Sequence, residues 1–202
     1  MENQLGVKKQ YMKQDFFEPG VVYHIFNRGN NLENIFIEEK NYIFFLTMMK
    51  KYISPIADIY AYCLLKNHFH LALRIKDVEL LPDKLKQKPY LAFSNMFNSY
   101  SKAINKAYNR QGSLFQEHLH RIRVEDDEYL MQLIAYIHLN PVKHEFTEYF
   151  KNYRYSSYQA YVSEKNTSIE KSYVMSLFGD ITNFEYWHDL NKLYLEDKMQ
   201  DI

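Results

Sequence analysis

His68-Phe69-His70 sets two imidazoles two residues apart in the stretch LLKNHFHLALRI, Leu64 to Ile75. Strand side chains alternate sides, so His68, His70, Ala72 and Arg74 share one face while Phe69, Leu71, Leu73 and Ile75 share the other. The apolar set is the core face, which leaves both imidazoles on the face not committed to packing. Two neutral imidazoles side by side are a natural pair of metal ligands, each with a second ring nitrogen for an orienting hydrogen bond. Two surface histidines on a strand would give the same pattern. A second constellation lies on a helix predicted from Glu128 to Asn140. Leu130, Leu133, Ile134 and Ile137 form its core stripe, and Gln132, Tyr136 and Asn140 recur at i, i+4 and i+8 on another face. A carboxamide oxygen can complete a hard-metal site that two histidines leave open, and a phenol beside it is a candidate nucleophile. The alternative is a packed tyrosine and a helix-capping asparagine.

The elements that must position these groups follow from periodicity. Val21–Asn27 reads as a strand closed by the turn-prone Arg28-Gly29-Asn30-Asn31. A helical stripe runs from Glu38 to Tyr52 and stops before Ser54-Pro55. Ile56–Leu65 is a second strand, with a break at Lys66-Asn67 before the histidine strand. Pro89 can open a helix carrying Phe93, Phe97, Tyr100 and Ile104, and Gly112 can end it. SLFQEHLHRIRV looks extended, and the acids of EDDE suit the first turn of the tyrosine helix. That helix is expected to stop at Asn140, because Pro141 disfavours the α conformation in the residue before it. Two short helical pieces follow. Strands and helices alternate without the Gly-rich βα turns of a doubly wound parallel sheet. The expected class is therefore α+β, a mostly antiparallel sheet with helices packed on one face.

A chain of 202 residues with 47% hydrophobic and 25% charged residues is folded, and one domain with a small C-terminal appendage accounts for its length. Zero formal net charge argues against attachment to nucleic acid through bulk charge alone. The distribution is uneven, however. Leu81 to Val124 holds eight Lys and Arg against two acids, while Glu164 onward holds four lysines against eight acids. A basic middle and an acidic tail fit a local polyanion site, as they also fit solvated helix faces. The lone Cys63 sits in an apolar run, so a buried thiol in a reducing compartment is expected. MENQLGVKKQYMKQ has no apolar leader stretch, and no segment approaches ~18 apolar residues. These features point to a cytoplasmic protein with no membrane partner.

NHFHLAL, followed by YIHLNPVKH from Tyr136 to His144, resembles the HUH-type single-tyrosine transposases of small bacterial insertion sequences, and within them the REP-associated tyrosine transposases. YHIFNRGNNLENIF, NRQGSLFQEH and YRYSSYQAYV run in the same order, so the resemblance spans Val21 to Val162. It implies a catalytic domain over residues 1–162, with 163–202 as a short helical extension. The implied fold is ferredoxin-like or RRM-like. His68, His70 and Asn140 would hold a divalent metal, Mg²⁺ or Mn²⁺, and Tyr136 would be the nucleophile. The implied substrate is single-stranded DNA, with a hairpin near the cleavage site, cut and rejoined through a 5′-phosphotyrosine by a monomer or homodimer. Arg28, Lys66, Arg121 and Arg123 are candidate phosphate contacts; Lys66 stands where the family commonly has proline. A second HxH, His118 and His120, reads as DNA-contacting or structural. His24 and His138 read as structural, and Tyr23, Tyr129 and Tyr153 as packing. Two rival functions are a non-catalytic DNA-binding protein descended from a transposase, and a histidine-based phosphoesterase. A histidine-triad version of the latter is disfavoured by Ala72, two residues beyond His70.

Overall fold

The structure, a computed structural model, describes residues 17–200, with side chains through Leu193. The opening residues read for a leader lie outside this range. Strand β1 (Val22–Arg28), helix α1 (Glu39–Tyr52), strands β2 (Ala57–Leu65) and β3 (His68–Ile75), helix α2 (Tyr90–Ala107) and strand β4 (His120–Arg123) form a βαββαβ unit. The sheet order is β2-β3-β1-β4 with every neighbouring pair antiparallel, the ferredoxin-like arrangement. Of SLFQEHLHRIRV, only His120–Arg123 joins the ladder, opposite Phe26 to Tyr23.

The Phe69 face of β3 packs under α1 and α2. Phe69 is fully buried against Phe45 of α1 at 5.2 Å and Phe97 of α2 at 5.5 Å between ring centroids. Burying each such ring is worth about 1.5–3 kcal/mol, which seats both helices on that face. Helix α1 is opened by a capping box: the Asn41 side-chain oxygen accepts from the Glu38 backbone N–H while the Glu38 side chain accepts in return.

The opposite face differs from expectation. Helix α3 (Asp127–Lys143) lies across it, so His68, His70 and Ala72 are buried rather than facing solvent, and helices occupy both faces. Asp126 caps α3 by accepting from the Tyr129 N–H, with Asp127 and Glu128 in the first turn as the acid run suggested. The helix does not stop at Asn140. It runs through Pro141 to Lys143, and the Asn140 carbonyl accepts from the His144 N–H at 3.0 Å. A proline in the last turn removes one intrahelical donor only, and the burial of Asn140 and Pro141 offsets that loss.

After α3 the chain runs along the free edge of β2. Leu64 N–H donates to the Tyr155 carbonyl and Ser157 N–H to the Tyr62 carbonyl, satisfying backbone that an open edge would leave exposed. Helices α4 (Tyr158–Val162), α5 (Lys171–Phe178) and α6 (Ile181–Gln200) follow. The last is a 20-residue helix, longer than the expected short pieces. Val174, Phe178 and Phe184 join the same hydrophobic core as the sheet. His188 of α6 meets His138 of α3 in a buried chain of hydrogen bonds. His188 Nδ1 donates to the Phe184 carbonyl at 2.7 Å, so its Nε2 accepts from His138 Nδ1 at 2.9 Å, and His138 Nε2 accepts from the Ser157 hydroxyl at 2.7 Å. His138 is thus structural, as read. Cys63 is a buried free thiol. Among the described residues, no helix is long and apolar enough to cross a membrane.

Candidate metal and nucleophile site

The antiparallel β1–β3 register brings the chemistry of two strands together. Arg28 lies opposite His68, Phe26 opposite His70, and His24 opposite Ala72. Ala72 is the small residue of that set, and the space above it admits the His24 ring beside His70, their Nε2 and Nδ1 atoms 2.9 Å apart. Reading His24 as merely structural misses this contact, which depends on a pairing 46 residues away in the chain. The tautomer with His70 Nδ1–H donating to His24 leaves His70 Nε2 with its lone pair. His68 is fixed in the same sense: the Asn67 side-chain oxygen can only accept, so His68 Nδ1–H donates to it at 2.8 Å. Asn67 is itself strapped in place by its carbonyl, which accepts from Gly29 N–H at 2.8 Å. Gly29 is required there because a Cβ would meet the Glu33 carbonyl oxygen.

Helix α3 supplies the other half. Tyr136 stands edge-on to His70, with ring centroids 5.6 Å apart, and edge-on to His24 at 6.1 Å. Lys143 Nζ lies 4.7 Å from the centre of the Tyr136 ring, and His144 sits edge-on to His68 at 4.6 Å. Asn140, between them on the helix, is fully buried and is an interior residue rather than a cap. Its amide donates to the Tyr136 carbonyl at 2.8 Å. Two buried acceptors in this region have no hydrogen-bond partner: His68 Nε2 and Asn140 Oδ1. Buried polar atoms are otherwise nearly always paired, so two orphans of the ligating kind fit a cation held by imidazole and carboxamide. Among the described residues no trio of His, Cys, Asp or Glu side chains is placed to hold a metal.

Burial sets the protonation states. Desolvation lowers His24 and His68 to about 4, and neighbouring positive charge from His144 and Arg28 pushes His68 in the same direction. His70 is lowered further, again mainly by desolvation. Desolvation, then Lys143 and Arg28, also lowers His144. All four imidazoles are therefore neutral at physiological pH, the state a metal ligand needs.

A cleft of about 340 Å³ opens over these groups, walled by Arg28, His68, His70, Gln116, Tyr136, Lys143 and His144 among others. Of the phosphate-contact candidates, Arg28 lines it. Lys66, on the β2–β3 turn, lies over the Phe146 ring at 5.5 Å. Arg121 and Arg123 belong to the opposite face, because β4 alternates His120 and Ile122 toward the site and the arginines away from it. Arg123 pairs with Glu18 at 3.1 Å, and Arg121 lies over the Phe17 ring. His120 is the member of the second HxH that reaches the site face, stacked on Phe26 at 5.0 Å. Tyr23 is buried, as expected of a packing residue. Lys143 and His144 had a visible signal, since His144 continues the 132, 136, 140 spacing by one more turn.

No family model matches the sequence, and no curated protein matches it. The fold is similar to the solved structure of a REP-associated tyrosine transposase bound to a REP hairpin, with TM-score 0.56 and 14% identity over 81% of this chain and 96% of that one.

Proposed function

We propose that this chain is a metal-dependent DNA transposase or endonuclease that cleaves and rejoins single-stranded, hairpin-bearing DNA through a 5′-phosphotyrosine on Tyr136. The observation that supports this most directly is the pair of orphaned buried acceptors, His68 Nε2 and Asn140 Oδ1, beside Tyr136 and a cationic cleft. His68, His70 and Asn140 would hold Mg²⁺ or Mn²⁺, with Asn67 and His24 orienting the imidazoles. When bound, such an ion supplies Lewis acidity toward a non-bridging phosphate oxygen.

The protein's own groups do the rest. The Tyr136 hydroxyl attacks phosphorus; its bond to phosphorus forms as the bond to the 3′ oxygen breaks, and the phenolic proton ends on the released 3′-hydroxyl. A 3′-hydroxyl, the same one or that of another strand end, reverses the step and joins the strands. No nucleotide is consumed, because the tyrosyl phosphodiester keeps the energy of the original bond, consistent with a sequence lacking GxxxxGK[ST]. Arg28 and Lys143, which both line the cleft, favour the added negative charge of the pentacovalent phosphorus. The catalytic unit is read as residues 1–162, and within the extension that follows, α5 and α6 pack against the tyrosine helix. The likeness to a hairpin-bound transposase agrees with this reading.

Incubation of the purified protein with a library of hairpin-bearing single strands and Mg²⁺ or Mn²⁺ tests it. Covalent protein–DNA adducts are expected that vanish with chelator and in Tyr136→Phe. Adducts persisting in Tyr136→Phe would overturn the nucleophile, hydrolysis without an adduct would favour a phosphoesterase, and binding without cleavage a non-catalytic DNA-binding protein.

A further inference from the structure

Tyr136, Phe26 and His70 wall two clefts, one on each side of the phenol. The first is the cationic cleft already described. The second, about 420 Å³, is completed by His24, Ile122, Tyr129, Gln132 and Leu133, and no charged side chain lines it. It lies where α3 leaves the sheet uncovered. Over β2 and β3 the site face is buried, but over β1 and β4 Phe26 is only half-buried, His120 is exposed, and Ile122 is 45% exposed. From buried His70 outward onto that open strip, the rings of His70, Phe26 and His120 stack in a row, 5.6 and 5.0 Å between neighbours with interplanar angles of 25° and 12°. An edge strand ordinarily carries charge outward; a branched apolar residue exposed there beside stacked rings is a surface suited to a flat apolar face.

We infer that this second cleft is a nucleobase subsite, which takes the base of one nucleotide adjoining the phosphate attacked by Tyr136, lying against the Ile122 side chain and the ring edge of Phe26 with its own edge toward Gln132. The inference rests on the cleavage reading above and deepens it. The charge contrast between the clefts assigns the occupants. A phosphodiester passing Tyr136 puts its backbone against Arg28 and Lys143 on one side. The uncharged side cannot compensate a phosphate, but it offers rings and an aliphatic surface that favour base stacking. Gln132 sits one helical turn before Tyr136 and is exposed, and its carboxamide can both donate to and accept from a base edge. It is therefore the residue that sets which base is preferred.

The experiment starts from the oligonucleotide of the hairpin library that forms the adduct, since the adduct marks the scissile phosphate. Each of the two nucleotides adjoining that phosphate is replaced in turn by an abasic residue. Adduct formation is expected to slow at least tenfold for one of them, which corresponds to about 1.4 kcal/mol. In Ile122→Glu, which puts a carboxylate on the strip at an exposed position, the wild-type substrate slows and the abasic penalty drops below threefold. A 2-aminopurine at the sensitive position is expected to be quenched on binding to Tyr136→Phe protein, which does no chemistry, and not on binding to the Tyr136→Phe, Ile122→Glu double variant. Gln132→Ala should change the ranking of the four bases there. Indifference to base loss on both sides of the phosphate, or an equal penalty in wild type and Ile122→Glu, overturns the subsite while leaving cleavage intact. Absence of any adduct overturns the cleavage reading and the subsite together.

Discussion

Replacing His188 by leucine isolates the titration of one buried imidazole. His188 is fully buried between α3 and α6, and desolvation lowers it from 6.5 to about 4, partly opposed by its bond to the Phe184 carbonyl. A histidine with a lowered folded value stabilises the native state fully above the unfolded value. That contribution is lost as pH falls from about 6.5 toward about 4, because the unfolded chain takes up the proton first. At about 1.4 kcal/mol per unit, the shift is worth roughly 3 kcal/mol in total, of which about 2 kcal/mol is lost between pH 7 and pH 5. At pH 7 the leucine variant should be less stable by about 1–3 kcal/mol, because the His138 Nδ1 donor loses its acceptor. At pH 5 the wild type has lost the His188 contribution and the variant never had it, so the gap should shrink by about 2 kcal/mol. Urea denaturation at the two pH values, followed by far-UV circular dichroism, measures both differences. A gap that stays constant within about 0.5 kcal/mol would show that His188 takes up its proton equally in the folded and unfolded chains, and the neutral, buried tautomer chain through His138 and Ser157 would have to be abandoned.

His24→Phe keeps a ring over Ala72 but removes the acceptor that orients His70, so Mn²⁺ affinity measured by calorimetry should fall about 10–100-fold while the melting temperature changes little. Asn140→Leu, in contrast, should reduce metal affinity without exposing either imidazole, and unchanged Mn²⁺ binding would remove the carboxamide from the ligand set. Phe69→Ala should cost about 3–5 kcal/mol in chemical denaturation, since its ring is fully buried between α1 and α2. Arg123→Ala should alter stability by less than about 1 kcal/mol and leave adduct formation intact, because its exposed ion pair with Glu18 lies on the face away from Tyr136.

The alternation of LLKNHFHLALRI and the i, i+4 row on α3 are local properties, and both the histidine pair and the phenol–carboxamide row could be read from them without a structure. Long-range properties were not legible in that way. Whether the histidine face is open or covered depends on where α3 docks, and nothing between His68 and Ala72 records that. His24 joins His70 only through the β1–β3 register, and the side to which Arg121 and Arg123 point is settled by the pairing of β4 with β1. Pro141 misled in the other direction. Its local preference against helix was real, but buried contacts in the last turn of α3 outweighed it.

Helix α3 docks on β2 and β3 of its own chain and is held from outside by α6, so His68, His70, Asn140 and Tyr136 all come from one polypeptide. Under the cleavage reading proposed above, a copy altered at His68 and His70 and a copy altered at Tyr136 would each lack half of the same pocket, and mixing the two purified variants is expected not to restore adduct formation; restored adducts would show that the tyrosine helix is shared between copies.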